Sequence, residues 1–505
     1  MENSFEKLMR YYRSIITLDS INSVLYWDMN TYMPAAGVQH RAEQFGFISD
    51  QVHQLWSDPS LLALIKTCEQ DTSLNEFQER NVAVLRHQLD TKVCLPAELV
   101  TELSKKSNQT LEVWKKAKAK ASYPLVQDQL GELFQLNERK AQILGDTLGV
   151  DDPYEALVVS RDPDFTLSTI DGLFRDVKAF LIPFVKKIAS RESVDESFLA
   201  CVVPRDSQKA LVHDLATFLG YDHCSENGVG RIDEVEHPLT IGCGPGDVRV
   251  TVKYHDSQVM DGFGAGAHEV GHALHGLQSN VEWKYFPVSR VMYPSLAESQ
   301  SRLVENHVCG SESFWNHYFP KFKHFTSPSF DDVNLWSFYK AINAVKPSLV
   351  RIASDEVTYC LHIIIRYEIE RDLFARKITI AELPNVWNER YEQYLGVRPP
   401  NDTLGVLQDL HWYSQYWGYF HGYAIGDLIA AQFARKGLGR DIPGWGKNLE
   451  GGDFGTTKEW LRTHIHEKGV YYTASELVKH VTGEELSTKP FKDYLVQKYS
   501  KIYEF

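Results

Sequence analysis

The stretch GAGAHEVGHALHG, residues 264–276, carries three histidines and a glutamate at spacings that suit metal chemistry. On a helix, His268 and His272 project from one face, one turn apart, and both imidazoles can bind a single Zn²⁺. Glu269 is displaced by about 100° around the helix axis, so its carboxylate can reach a water molecule at the metal without being a ligand. The pattern is HExxH, in which two histidines bind the metal and the glutamate is the general base.

His275 shares this face but lies about 10 Å along the helix axis from His268, beyond the reach of a metal bound by the first pair. The longer pattern HExxHxxGxxH is absent, because position 278 is a glutamine. We therefore expect His275 to be a structural residue or to contact a metal-binding residue without binding the metal itself. An HExxH sequence arises by chance in roughly one chain in twenty of this size, so a third ligand is needed to support the site.

The segment SLAESQSRLVENH, which reads as a helix beginning near Pro294, offers that third ligand. Glu298 is separated from the second histidine by enough chain for a loop and a return to a packed second helix. Glu282 lies too close to the end of the first helix to fold back easily, and Glu305 lies two turns beyond Glu298 on the same face. Two histidines and Glu298 would leave the fourth zinc position open, as catalytic sites require.

Helical periodicity dominates the elements that must position these residues. In FEKLMRYYRSIITLDSINSVL, the apolar residues Leu8, Tyr11, Tyr12 and Ile15 follow a spacing of three to four. The histidine stretch itself is predicted as a helix over Met260–Leu277, despite its glycines, whose small size allows neighbouring backbone to approach closely. The same periodicity predicts helices over 75–93, 97–120, 123–148, 167–190, 381–396 and 474–503, which makes the first 190 residues helical.

One segment, residues 231–255, breaks the helical pattern directly before the histidine stretch. Apolar and polar residues alternate on both sides of the sequence GCGPGD, with Val248 and Val250 facing one way and Arg249 and Thr251 the other. This alternation around a Gly/Pro-rich turn predicts a β-hairpin. A hairpin beside a helix that bears ionisable groups can form one wall of a cleft.

Composition narrows the class of protein. The net charge of -14 over 505 residues argues against a nucleic-acid partner, which would need clustered Lys and Arg. Seven cysteines without a CxxC pair suit free thiols in a reducing compartment rather than a disulfide framework. The N-terminal sequence MENSFEKLMRYYRS is not a secretory signal, and the longest apolar runs are too short to span a membrane. We expect a cytosolic globular protein.

The whole pattern resembles the carboxypeptidase Taq family of metallocarboxypeptidases, peptidase family M32. The resemblance runs from LYWDMNTYMP near residue 30 to GYFHGYAIGDLIAAQF near residue 430, and family markers occur in order around HExxH. These markers are HPLT at 237, DVRVT at 247, AESQSR at 297, VRIASD at 350 and GVLQDLHW at 405.

Four departures from the family pattern are visible. Leu239 stands where the family has Phe, Ala297 replaces His, Ser354 replaces Ala, and His421-Gly422 replaces Pro-Thr. None of these changes removes a metal ligand or the general base. They bear on the shape of the pocket, and hence on side-chain preference, rather than on the reaction.

The resemblance implies a mainly α-helical single unit with a deep groove, of the neurolysin and angiotensin-converting-enzyme type, and with a small hairpin beside the HExxH helix. One domain would span residues 1–505, with a mostly helical part over 1–230 and the hairpin and catalytic helices over 231–505. Family members are cytosolic homodimers. They bind one Zn²⁺ per subunit, or Co²⁺, and remove single residues with broad preference from the free C-terminus of peptides.

The resemblance also suggests which residues act on the substrate. Glu269 would take a proton from water and pass it to the leaving amine. An oxyanion donor is needed as well, and Tyr423 and His411 are the candidates. A cation must hold the substrate carboxylate, and family resemblance favours Arg351 over Arg249, which we expect to bond an acidic residue that stiffens the hairpin.

Three further residues are expected near the site. His237, in HPLT, is a candidate substrate contact, while Gln408 and Asp355 are candidates for supporting roles, with Asp355 orienting a ligand imidazole. Two alternatives stay open at this point. One is an oligopeptidase that cuts within peptides in the same groove, and the other is a non-catalytic peptide-binding scaffold.

Overall fold

The computed structural model describes residues 3–290 and 293–505, and most of them lie in α-helices joined by short loops. The helices of the described residues are α1 (Ser4–Thr31), α2 (Val38–Ser57), α3 (Pro59–Glu69), α4 (Glu76–Val93), α5 (Ala97–Ala119), α6 (Pro124–Leu148), α7 (Pro153–Val159), α8 (Leu167–Ala189), α9 (Arg205–Phe218), α10 (Val259–Leu277), α11 (Pro294–Arg302), α12 (Glu312–Thr326), α13 (Leu335–Ile342), α14 (Tyr359–Phe374), α15 (Leu383–Leu395), α16 (Phe420–Gln432), α17 (Gly439–Asp441), α18 (Trp445–Glu450), α19 (Gly455–His464), α20 (Ala474–Thr482) and α21 (Lys489–Tyr503).

The predicted helices are confirmed to within a few residues, with one correction at the C-terminus. The single helix expected over 474–503 is two helices, α20 and α21. Gly483 ends α20 in a left-handed conformation with φ +77°, which glycine adopts without steric cost. Pro490 then stands in the first turn of α21, where a missing N–H is tolerated. Periodicity continues across this break because both helices pack against the same core.

The predicted hairpin is confirmed and gains a third strand. Strands β2 (Leu239–Gly244) and β3 (Asp247–Val252) pair antiparallel, with an irregularity between Gly242 and Gly244. Strand β1 (Ile232–Glu234) pairs parallel with the other side of β3, giving the order β1-β3-β2. The sheet lies against α10, so the strands and the histidine helix form one rigid unit.

Helix α11 is held between α10 and α16 at very close range. A Cβ added to Gly271 of α10 would lie 2.8 Å from the Cα of Ser301, and one added to Gly426 of α16 would lie 2.7 Å from the Cβ of Glu298. Only glycine allows such approaches. This confirms the expected role of the small residues around the histidines, and it fixes Glu298 against two helices.

Apolar side chains form one extended core and two smaller clusters, one of them between α5 and α6. The other smaller cluster joins α1, α3 and α4 through residues such as Leu8, Leu61 and Leu85, all fully buried. The described residues form a mainly helical, single-domain structure with one small sheet, whereas the deep groove and the boundary at 230/231 stay predictions. All seven cysteines are free. Within the described ranges, no helix has both the length and the apolar character that a membrane span requires.

Candidate metal and substrate site

His268, His272 and Glu298 converge as the sequence predicts. The Glu298 Oε2 atom lies 3.6 Å from His268 Nε2 and 3.8 Å from His272 Nε2, and one ligand atom from each residue lies within 4.8 Å of the others. Tetrahedral ligands at zinc bond lengths lie about 3.4 Å apart. The nitrogen and oxygen donors therefore fit a divalent metal such as Zn²⁺ after small shifts of the side chains. Helices α10 and α11 hold these side chains in position.

The outer nitrogen of His268 is held by Glu305. Its Nδ1 lies 2.8 Å from Glu305 Oε2, and because a carboxylate can only accept, Nδ1 carries a proton and Nε2 is the nitrogen that would bind a metal. Arg302 donates from Nη1 to the same Glu305 oxygen at 3.0 Å. Glu305 lies in a π-helical segment, Leu303–Cys309, that continues α11, and such segments are frequent at functional sites.

This contact corrects the role expected of Asp355. The Asp355 carboxylate accepts from the Thr358 hydroxyl and from three backbone amides, those of Lys346, Val357 and Thr358. It therefore shapes the loop before α14 instead of orienting a ligand imidazole. Glu305 performs that function, because the π segment brings its carboxylate to the back of the His268 ring.

The cluster is a region of negative potential. Burial lowers the pKa of His268, yet the carboxylates of Glu305, Glu298 and Glu269 together raise it to about 9. Burial raises the pKa of Glu305, but the charges of Arg302 and His268 overcome it and lower the pKa to about 2. Even when His268 is protonated, three carboxylates face only the two positive charges of Arg302 and His268, an excess of negative charge that favours a bound cation.

Glu269 is placed beside the cluster without joining it. Its side chain is buried, and its Oε2 accepts a 2.6 Å hydrogen bond from the hydroxyl of Thr240 on β2. The same hydroxyl lies 2.9 Å from the backbone oxygen of Glu269. The hairpin therefore fixes the direction of this carboxylate, which is the arrangement a general base needs.

The excluded candidates lie elsewhere, as predicted. His275 is buried with neither ring nitrogen bonded within the described part of the chain, and its ring lies 5.0 Å from that of His466. Glu282 is exposed in a 3-10 turn after α10. Neither belongs to the group of metal-binding donors.

Arg351 is buried in a cluster of its own. Its Nε and Nη2 donate to Asp409 Oδ1 at 3.2 and 2.9 Å, and its Nη1 lies 3.5 Å from the Tyr359 hydroxyl. Arg366 donates from Nε to the other Asp409 oxygen. Gln408 accepts from the Arg351 backbone N–H at 3.1 Å and from Arg366 at 2.8 Å. Two guanidinium groups therefore share one carboxylate, and Gln408 supports Arg351 as expected.

Tyr423 and His411 lie together at this cluster. The His411 Nε2 is 3.3 Å from the Tyr423 hydroxyl oxygen, and the Arg351 guanidinium lies 5.2 Å from the centre of the Tyr423 ring. Burial lowers the pKa of His411 to about 3, so the ring is neutral. The structure thus brings together both candidate oxyanion donors and the candidate carboxylate anchor.

Arg249 and His237 are not part of this arrangement. Arg249 donates from Nε and Nη2 to Asp247 at 2.9 and 2.7 Å, which is the expected bond to an acidic residue of the hairpin. His237 is exposed in the loop before β2, and the hydrogen bonds of the described residues do not join it to the metal cluster. The marker HPLT instead contributes Thr240, which contacts Glu269.

Two departures from the family pattern acquire structural roles. The Ser354 hydroxyl donates to the Arg351 backbone oxygen at 2.6 Å, so it supports the loop of the arginine. The buried His421 Nε2 lies 3.0 Å from Asp162 Oδ2, and Asp162 accepts from the Ser295 hydroxyl at 2.8 Å. This network ties α16 to the start of α11, three residues before Glu298.

Some residues near the site were not predicted. Thr240 and Asp409 lie within the sequence motifs HPLT and GVLQDLHW, close to the predicted residues His237 and Gln408. Tyr359 and Tyr419 carry no spacing signal. The Tyr359 ring lies 3.9 Å from the Arg302 guanidinium, and the Tyr419 ring lies 5.3 Å from that of Tyr423, so both are found only through the fold.

Comparison with known proteins agrees with this site. Residues 7–499 match the family model described as carboxypeptidase Taq (M32) metallopeptidase. The chain is 33% identical to carboxypeptidase 1 of Bacillus subtilis, over 95% of both chains, and 32% identical to thermostable carboxypeptidase 1 of Thermus thermophilus, over 99% of both. The crystal structure of the M32 carboxypeptidase from Deinococcus radiodurans matches with a TM-score of 0.95 and 29% identity, covering 99% of this chain and 100% of that one.

These matches define the class of protein as a metal-dependent peptidase that acts as a carboxypeptidase. The chain belongs to the carboxypeptidase Taq (M32) family. The resemblance seen in the sequence is thereby confirmed.

Proposed function

We propose that this protein is a zinc-dependent carboxypeptidase of the HExxH type that releases single residues from the free C-terminus of peptides, with broad side-chain preference. Co²⁺ would also serve. The observation that carries the proposal is the convergence of His268, His272 and Glu298 with Glu269 beside them. A cytosolic homodimer with one metal ion per subunit completes the proposal on the strength of the family.

The donor set fits a catalytic metal. His268, His272 and Glu298 would hold it and leave a further position open. A bound Zn²⁺ would supply Lewis acidity, polarising the scissile carbonyl and acidifying water. Glu269 takes the proton of the attacking water and later passes it to the leaving amine. Thr240 holds the Glu269 carboxylate in the direction this transfer requires.

The oxyanion that develops on the scissile carbonyl needs a donor opposite Glu269. In this proposal the Tyr423 hydroxyl is that donor, and the neutral ring of His411, 3.3 Å away, orients it. The nearby Arg351 guanidinium adds positive potential across the Tyr423 ring. A tyrosine without this support would donate in a less well defined direction.

Exopeptidase action requires a fixed cation for the terminal carboxylate of the peptide. Arg351 fills this role, because the Asp409 carboxylate is shared with Arg366 and leaves positive charge over. Arg249 is the weaker candidate, because within the described residues the Asp247 carboxylate pairs with Arg249 alone and offsets its charge. His237 is kept as a further, exposed contact for the peptide.

The experiment that tests the proposal follows products from one peptide in two forms, with a free C-terminus and with a C-terminal amide. Chelated protein should be inactive, and Zn²⁺ or Co²⁺ should restore activity. Mass spectrometry should then show a ladder of products, each one residue shorter, from the free acid, and slow or absent cleavage of the amide. Internal cleavage of both forms would support an oligopeptidase instead, and no cleavage after metal loading would support a binding scaffold.

A further inference from the structure

Two cations near the site have no acidic partner. Arg161 follows α7 and Lys140 lies on α6, and both side chains are partly buried. Of the carboxylates in the described ranges, none lies within 4.0 Å of either cation, although most of the other arginines near the site form such pairs. The Arg161 Nε is shielded from solvent and has no hydrogen-bond partner among the described residues.

The carboxylates closest to Arg161 are committed to other contacts. Asp162 accepts from Ser295 and lies 3.0 Å from His421 Nε2. Glu370 accepts from the Tyr154 hydroxyl at 2.7 Å, from Trp412 Nε1 at 2.8 Å and from the Gly418 amide at 3.0 Å. Neither carboxylate forms an ion pair with Arg161, so each affects it only through longer-range electrostatic attraction.

Leaving these two charges without partners is costly. Shielded ionised groups are normally paired, because desolvation of a charge is expensive. Burial lowers the pKa of Lys140, and the charge of Arg161 lowers it further, to about 8. Burial also lowers the pKa of Arg161. An anion bound to Arg161 would remove the penalty of leaving its guanidinium unpaired.

Arg161 is separated from the metal cluster by aromatic rings. Its guanidinium lies 5.9 Å from the centre of the Tyr416 ring and 5.5 Å from that of Tyr419. Tyr419 in turn packs against Tyr423. Burial raises the pKa of Tyr419, and the charge of Glu298 raises it further. Tyr419 is thus close enough to respond to both Arg161 and a metal ligand.

We propose that Arg161 binds a carboxylate of the peptide substrate. The inference rests on the proposed function, since it assumes that peptides bind over the metal cluster. A guanidinium group matches a carboxylate with two parallel hydrogen bonds. The carboxylate belongs either to the chain terminus or to an acidic side chain of the peptide, and both present the same planar group.

The test measures equilibrium binding by calorimetry to the zinc-loaded Glu269→Gln variant, which should not consume the peptides. Four forms of one short peptide are compared: a terminal Glu or Gln, each as free acid and as amide. Adding Arg161→Gln should weaken the binding either of both free acids or of both Glu peptides by about 10- to 100-fold. The affinity for the Gln amide, which carries no carboxylate, should stay unchanged. Arg161→Lys should restore part of the loss.

The pattern identifies the source of the carboxylate. A loss for both free acids points to the terminal carboxylate, and a loss for both Glu peptides points to the acidic side chain. Equal weakening of all four peptides, or no change in any, would overturn the inference. Arg398→Gln, which changes an arginine paired with Glu392 at 2.8 Å, is the matched control and should bind all four as the parent does.

Failure of the inference is separable from failure of the proposed function. If the wild type does not cleave the peptides but Arg161→Gln removes their charge-dependent binding, the function is wrong and the Arg161 site stands. If the wild type cleaves them and Arg161→Gln leaves the relative affinities for the four peptides unchanged, only the inference fails. Thermal unfolding of each variant checks that the fold is intact.

Discussion

The metal cluster and the Arg351 cluster are neighbours with opposite imbalances of charge. At the first, the carboxylates of Glu269, Glu298 and Glu305 outnumber the cations, which are Arg302 and, when protonated, His268. At the second, Arg351 and Arg366 face the single carboxylate of Asp409. In the proposed function this difference orients the peptide: the negative cluster would bind a metal ion, and the positive cluster would bind the terminal carboxylate.

The two clusters meet at Tyr359. Its ring lies 3.9 Å from the Arg302 guanidinium, and its hydroxyl lies 3.5 Å from Arg351 Nη1. Because this residue is buried between them, the spacing of the clusters is set by the fold and not by flexible side chains. A substrate that bridges both would have its last peptide bond held over the metal.

The largest effect is expected at the third ligand. Glu298→Ala should leave two protein ligands and lower zinc affinity by more than the roughly 10- to 100-fold that an outer contact is worth. Competition with a chelator measures the affinity. Glu282→Ala, which changes an exposed glutamate outside the cluster, is the control and should have no effect. Stoichiometric zinc and normal activity in Glu298→Ala would show that the ligand assignment is wrong.

The next effect concerns the positive cluster. Arg351→Ala should lower kcat/KM on free peptides by about two to four powers of ten, for a lost charged contact of ~3–5 kcal/mol. Peptide amides should be little affected. Asp409 keeps Arg366 as a partner, so the fold and the zinc should survive.

Steady-state kinetics on acid and amide forms of one peptide check this expectation. If Arg351→Ala still prefers the acid as strongly as the wild type does, Arg351 is not the anchor. Arg161→Gln, and then Arg249→Gln, would be the next variants to test.

A smaller effect is expected behind the metal ligands. Glu305→Ala removes the acceptor that fixes the His268 ring, and it should lower zinc affinity by roughly 10- to 100-fold. This loss should be clearly smaller than that of Glu298→Ala and clearly larger than that of Glu282→Ala. An affinity equal to the wild type would mean that the 2.8 Å contact with Nδ1 does not support the metal.

How much of the site could be predicted depends on how local its geometry is. His268, Glu269 and His272 are set by one helix, so their spacing alone places them. Glu298 could be predicted because it lies on a second helix, separated from His272 by enough chain for a loop to bring that helix back against the first. The contact of Glu305 with His268 depends on a π segment, and helical periodicity assumes a uniform α-helix, so this contact could not be predicted.

Contacts between residues far apart in the sequence were the main limit on what could be predicted. Arg351 was identified by resemblance, but its partner Asp409 lies 58 residues further along the chain, and no periodic pattern links the two. The parallel strand β1 escaped prediction for a similar reason, because three residues carry little alternation. The helices that periodicity predicted, in contrast, were placed to within a few residues, except where Gly483 interrupts a continuous apolar stripe.

The central claim is that the negative cluster binds a metal ion while Glu269 performs the proton transfer, and one measurement separates these roles. In Glu269→Gln, zinc content and kcat are determined on the same preparation. The amide cannot accept the proton of water, so zinc should stay stoichiometric while kcat falls by about two to four powers of ten. Retained zinc with a nearly wild-type rate would contradict the account.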